Sequence, residues 1–104
     1  MKVIATTTAV VALLLPSTAR GDLRPDRIAF WDRIANCETG GNWRMRGSTY
    51  EGGVGFAVTT WRWWAGKLGL LARYPHAYLA PRLVQIRVAE YGLLTWHGYW
   101  GCNR

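Results

Sequence analysis

The seven residues Cys37-Glu38-Thr39-Gly40-Gly41-Asn42-Trp43 constrain this chain more than any other stretch. Two adjacent glycines reach left-handed backbone without steric penalty, so a helix arriving from the N-terminal side ends there. Trp31 and Ile34 precede Glu38 by seven and four positions, so all three project from one helical face. That face belongs against a core. A carboxylate in the last helical turn meets the negative end of the helix dipole, and partial burial strips its hydration. Both effects favour the protonated acid, which is the form a general acid needs. A solvated helix-end glutamate is the plain alternative. The stripe position, the glycine pair and the neighbouring Trp31 and Trp43 favour a catalytic Glu38.

Met1-Lys2, an uncharged and mostly apolar run from Val3 to Leu15, then Pro16 and Ser17-Thr18-Ala19 make the pattern of a secretory signal peptide. It covers residues 1–19, with cleavage expected after Ala19. The rival reading, an uncleaved anchor, is disfavoured because a span needs about 20 apolar residues. No stable membrane anchor is therefore expected. Residues 20–30 read as an N-terminal lead and the start of the first helix, and residues 31–104 as one domain.

Export makes Cys37 and Cys102 an expected disulfide, because oxidising compartments preserve such bonds. Zinc is the competing use, but two cysteines with His76 and His97 fit no metal-site spacing. No metal and no cofactor are expected. Basic residues outnumber acidic ones 13 to 6, a net charge of +7, which steers a secreted protein toward anionic polymers. Wall glycans bearing peptide carboxylates, teichoic acids and acidic lipids all qualify. Nucleic acid suits the charge but not the export signal, and is not expected as a partner. Seven tryptophans are more than a small core needs. Trp43, beside the candidate acid, is assigned to a carbohydrate cleft, with core packing as its alternative.

The pattern predicts a first helix from Pro25 to Glu38, with Pro25 in the first turn and Asp26 near its positive end. From Asn42 to Phe56 the composition turns to Gly, Ser and Thr, which reads as loops around a small hairpin. Thr59 or Thr60 is expected to cap a second helix carrying Trp61, Trp64, Ala65 and Leu68 on one side. A loop through Tyr74-Pro75-His76 leads to a third helix from about Pro81 to Leu94, with Leu83, Val84, Val88 and Tyr91 as its apolar face. The aromatic tail from Trp96 to Cys102 should lie against the fold. The expected fold class is α+β, mainly α: about three helices, a short β-hairpin and one disulfide.

An acid at a helix end followed by a Gly-rich hairpin is similar to the arrangement of the lysozyme-like superfamily. Trp31-Asp32-Arg33-Ile34-Ala35-Asn36-Cys37-Glu38-Thr39-Gly40-Gly41-Asn42-Trp43 resembles the opening of the resuscitation-promoting factor domain of actinobacteria, a compact transglycosylase-like module. Tyr50-Glu51-Gly52-Gly53-Val54-Gly55-Phe56 resembles its hairpin, Thr60-Trp61 follows at the expected distance, Gln85-Ile86-Arg87-Val88-Ala89-Glu90 resembles its last helix, and Cys102 its closing cysteine. The likeness runs from about Trp31 to Cys102. It implies cleavage of the β-1,4 bond between N-acetylmuramic acid and N-acetylglucosamine in peptidoglycan. Glu38 falls on the catalytic glutamate, and Trp43, Tyr50 and the Gly52-Gly53 backbone fall on the sugar-binding cleft. Gly55 stands where the family usually has a substrate-contacting glutamine. Arg46-Gly47-Ser48-Thr49 replaces its Asn-Thr-Gly stretch, with Thr49 placed to take over the threonine's part.

A glycosidase ordinarily uses two carboxylates. Glu51 is the cleft-side candidate for the second, against its reading as an exposed turn residue. A lytic transglycosylase can do without one, since the muramic acid's own hydroxyl attacks. Asp32 lies on another helix face and reads as structural. Glu90 reads as a surface partner of Arg87 or Arg82. The expected partners are peptidoglycan glycan strands, with a partner wall hydrolase as a further candidate, and the expected location is secreted or at the cell wall. Two rival functions stand beside the enzyme: a non-catalytic wall-binding module and a cationic membrane-active protein. The second gives no reason for the 37–43 block.

Overall fold

The computed structural model describes residues 23–102, so the expected signal peptide at 1–19 and the first residues of the lead lie outside the described residues. Helix α1 runs Pro25–Thr39, with Pro25 and Asp26 in its first turn. It stops where the glycine pair predicts. Gly40 has φ 68° and Gly41 φ 81°, and their amides cap the carbonyls of Asn36 and Ala35 at 3.0 and 3.1 Å. A two-stranded antiparallel hairpin follows, β1 Tyr50–Glu51 and β2 Phe56–Ala57, with Tyr50 opposite Ala57 and Glu51 opposite Phe56. Then come α2 Val58–Lys67, a 3-10 turn Ala77–Leu79 and α3 Arg82–Trp96. Among the described residues, the three helices, the short hairpin and the Cys37–Cys102 disulfide match the expected mainly helical α+β class.

Two local expectations are corrected. Helix α2 starts at Val58 behind Ala57 with no side-chain cap, so Thr59 and Thr60 lie inside its first turn. The hairpin sets that start: β2 runs straight into the helix, and the Val58 amide donates to Thr49 O at 3.0 Å. On α3, Leu83 is exposed, and Val84 and Tyr91 are only half-buried. Val88 is buried as expected, and the rest of the buried face carries Gln85, Ile86, Ala89, Glu90 and Gly92. Apolar periodicity found only Val88 of this face, because two of its members are polar and find partners inside.

The core joins every element. Trp31, Ile34 and Ala35 of α1 meet Val54 and Phe56 of the hairpin, Trp61, Trp64 and Ala65 of α2, and Ile86, Val88 and Ala89 of α3. Trp100 closes it from the tail, 6% exposed, with ring centroids 4.8 Å from Trp31, 5.8 Å from Trp64 and 6.1 Å from Phe56. The Trp31 and Phe56 contacts are edge-on and the Trp64 contact is tilted; aromatic pairs of this kind contribute about 0.5–1.5 kcal/mol each beyond area burial. The tail is thus part of the core, as expected. Gly92 has a packing reason: a Cβ there would lie 2.2 Å from the Trp64 ring.

Glu90 is a buried strut rather than a surface partner of Arg87 or Arg82. Its two oxygens each accept from the Arg27 guanidinium at 2.8 Å, and Oε1 also accepts from Trp31 Nε1 at 2.8 Å. Arg82 is bound instead to Asp32, with both oxygens engaged, which agrees with the structural reading of Asp32. Burial opposes ionisation of Glu90, but the hydrogen bonds from Arg27 and Trp31 and the Arg27 charge outweigh it, so its proton affinity falls below the usual glutamate range. A carboxyl depressed in the folded state lends stability above its unfolded value of about 4.3, and that share is lost as pH falls through the lower folded value. The urea midpoint of the wild type should therefore drop as the solution is taken below about pH 4. Glu90→Gln should be less stable at neutral pH and follow a shallower acid limb. Equal slopes for the two proteins would show that the pair adds nothing.

Candidate active site

The end of α1 is fastened to the hairpin by Thr39. Its hydroxyl donates to Gly53 O at 2.6 Å and accepts the Asn42 amide at 3.1 Å. Asn42 Oδ1 then accepts the Arg44 amide at 3.1 Å, and Asn42 O accepts the Met45 amide. This is the side-chain-mimicked turn that asparagine favours. It swings Trp43 over the hairpin: a Cβ on Gly53 would sit 2.2 Å from the Trp43 ring. Only glycine permits that approach.

Gln85 locks the arrangement from α3. It is fully buried, and its Nε2 donates to Trp43 O at 2.8 Å and Ala80 O at 2.9 Å while its Oε1 accepts the Gly53 amide at 2.9 Å. Both amide protons and the carbonyl are satisfied, which stabilises a buried polar side chain where a partly paired one destabilises. Gly52 is equally confined, with φ 82° and its amide on Met45 O at 2.8 Å. The Gly52 and Gly53 amides are thus consumed within the protein.

Glu38 lies half-buried at the junction of α1 and the tail, where the Cys102 amide donates to its Oε2 at 3.2 Å. The disulfide from the preceding residue, Cys37, holds that tail in place. Trp43 faces a cavity of about 610 Å³ that it shares with Arg44, Arg46, Tyr78 and Arg82. Tyr50 is 57% exposed and opens onto a different cavity of about 230 Å³, walled also by Gly55, Trp64, Tyr99 and Trp100. Thr49 is exposed beside it. Gly55 has φ 70° with open space where a side chain would begin. A glutamine there would have to adopt a conformation that L residues rarely take.

Glu51 differs from the expected exposed turn residue. It is 1% exposed, with Oε1 2.9 Å from His76 Nδ1 and Oε2 accepting the Ala77 amide. It ties the hairpin to the 3-10 turn. Among the described residues the acids then sort cleanly. Asp26, Asp32 and Glu90 are paired with arginines, and Glu51 is held by His76 and Ala77. Glu38 alone stands outside any ion pair, with a backbone amide as its partner.

Sequence reading missed the parts played by Thr39 and Gln85. Thr39 carried a signal, being a hydroxyl next to a glycine helix stop, where such side chains satisfy loose backbone groups. Gln85 was marked only as the first residue of the block resembling the family's last helix, and its part is decided by the fold, which brings Trp43 and Gly53 to it.

Comparison with known proteins gives this geometry a relation. Residues 26–102 match the family model described as transglycosylase-like domain. The resuscitation-promoting factor Rpf1 of Corynebacterium glutamicum is 41% identical over 83 residues, covering 79% of this chain and 38% of that protein. RpfE of Mycobacterium tuberculosis is 48% identical over 61 residues, 58% of this chain and 31% of that protein. Rpf of Micrococcus luteus is 38% identical over 61 residues, 58% of this chain and 24% of that protein. The chain therefore spans well under half the length of these relatives. The family match takes in the three helices of the described residues, the hairpin and both cysteines, and on that ground this chain belongs to the transglycosylase-like domain family.

Proposed function

We propose that this domain is exported to the cell wall and cleaves the β-1,4 bond between N-acetylmuramic acid and N-acetylglucosamine in peptidoglycan, with Glu38 as the single catalytic acid. The observation that carries the reading is the isolation of Glu38 among the described acids: Asp26, Asp32 and Glu90 are paired with arginines, and Glu51 is held by His76 and Ala77. Membership of the transglycosylase-like family supports the reaction class. A disulfide supports the extracellular location, since reducing compartments dissolve such bonds.

In this reading protonated Glu38 donates to the glycosidic oxygen as the sugar develops oxocarbenium character. The muramic acid's own hydroxyl then attacks, and the carboxylate takes the proton back, leaving a 1,6-anhydro end. The commitment of both Glu51 oxygens to His76 and Ala77 favours this route over a two-carboxylate hydrolysis. Trp43 offers a ring face to the sugar, Tyr50 and Thr49 offer exposed hydroxyls, Gly53 leaves room for Trp43 to lie on the hairpin, and Gly52 leaves room for Gln85 and Ala77 behind it. Mass spectrometry of digested, purified peptidoglycan should find 1,6-anhydro-muramyl ends. Reducing ends in their place would replace transglycosylation by hydrolysis, and intact glycan would end the enzyme reading.

A further inference from the structure

We infer that Arg44 and Arg46 form a recognition site for the carboxylates of peptidoglycan stem peptides, adjoining the sugar platform at Trp43. The inference rests on the glycan-cleaving reading above and names the part of the substrate that selects it. Both arginines are exposed and line the Trp43 cavity of about 610 Å³. Among the described residues neither is in an ion pair. The third arginine of this wall, Arg82, is already bound to Asp32.

Arg46 is held ready. Its guanidinium lies 5.0 Å from the centroid of the Tyr78 ring, Tyr78 stacks on His76 at 5.2 Å, and His76 is hydrogen-bonded to buried Glu51. Stacking occupies the face of a guanidinium and leaves its in-plane N–H groups free for the bidentate grip that suits a carboxylate. The adjoining cavity of about 520 Å³ shares Arg46 and Tyr78 with the first. Its one acid, Glu51, has both oxygens turned to His76 and Ala77. Among the described residues, the cation pair therefore meets no unengaged carboxylate in either cavity.

A stem peptide is favoured over wall phosphate because of Trp43. A sugar lying on that ring brings the acidic substituent of the same polymer onto the arginines of the same cavity, with no second ligand required. Charge-assisted hydrogen bonds of this kind contribute about 1.5–3 kcal/mol, and each 1.4 kcal/mol is tenfold.

The test uses teichoic-acid-free glycan strands in two forms, with their stem peptides and with the peptides removed by an amidase. The reading is kcat/KM on each form at low salt. The wild type should prefer peptide-bearing strands by about tenfold or more. In R44Q/R46Q that ratio should fall to about twofold, with R44K/R46K between the two because lysine keeps charge but not the planar fork. R62Q/K67Q removes the same charge from exposed positions on α2 and should keep the wild-type ratio. Wild type cutting both forms equally, R44Q/R46Q keeping the preference, or R62Q/K67Q losing it would each overturn the inference alone. A preference that appears only when teichoic acid is restored would reassign the site to phosphate and overturn it too. Failure to cut either form removes the glycan-cleaving reading, and this inference falls with it.

Discussion

Glu38→Gln should lose about three orders of magnitude in peptidoglycan cleavage, close to 4 kcal/mol of transition-state stabilisation, while binding to insoluble wall persists. Glutamine matches glutamate in shape but carries no acidic proton. Its side-chain oxygen still accepts the Cys102 amide that now meets Oε2, so the tail stays docked. Glu38 takes part in no ion pair among the described residues, so its neutralisation leaves no buried cation unpaired. The urea midpoint should consequently stay within experimental error of wild type. A zymogram paired with a wall co-sedimentation assay separates the outcomes. A clearing zone of wild-type intensity would falsify the role of Glu38. Loss of clearing and binding together, with an unchanged midpoint, would mean that the side chain holds substrate rather than protonating it.

Opening the disulfide by Cys37→Ser with Cys102→Ser should destabilise the domain by about 4 kcal/mol, on the loop-entropy model for its separation of 65 residues. That is a large share of the 5–15 kcal/mol that typically separates folded from unfolded domains. The effect reaches the site as well. Cys102 supplies the amide on Glu38, and two residues earlier Trp100 fills the centre of the core. Loosening the tail thus threatens the acid's position and the aromatic packing together. Thermal and urea unfolding of the double variant, compared with wild type under oxidising and reducing conditions, measures it. Reduced wild type should match the variant. A variant as stable as oxidised wild type would show that the aromatic packing of Trp100 holds the tail unaided.

The helix stop at Gly40-Gly41, the Trp31–Ile34–Glu38 face and the Cys37–Cys102 bridge were legible in the chain because each depends on neighbours in sequence or on a single pair of cysteines. Glu51 was not. A charged residue in a Gly-rich turn looks solvated until His76 and Ala77, 25 and 26 positions away, are seen to enclose it. The same holds for the inner face of α3. Its apolar residues point to Leu83 and Tyr91, yet Gln85 and Glu90 are buried because distant groups satisfy them.

Sequence alone determined which residues end the helix and which acid closes it, since local backbone preference and side-chain period decide such things, and which cysteines meet, since the chain has only two. Tertiary structure alone decided which charges are consumed. Asp32, Glu51 and Glu90 are engaged by groups that folding brings to them, and among the described residues Arg44 and Arg46 face a cavity with no ion-pair partner. Pairing of charges is a matter of distance in space, and a linear chain does not carry that distance.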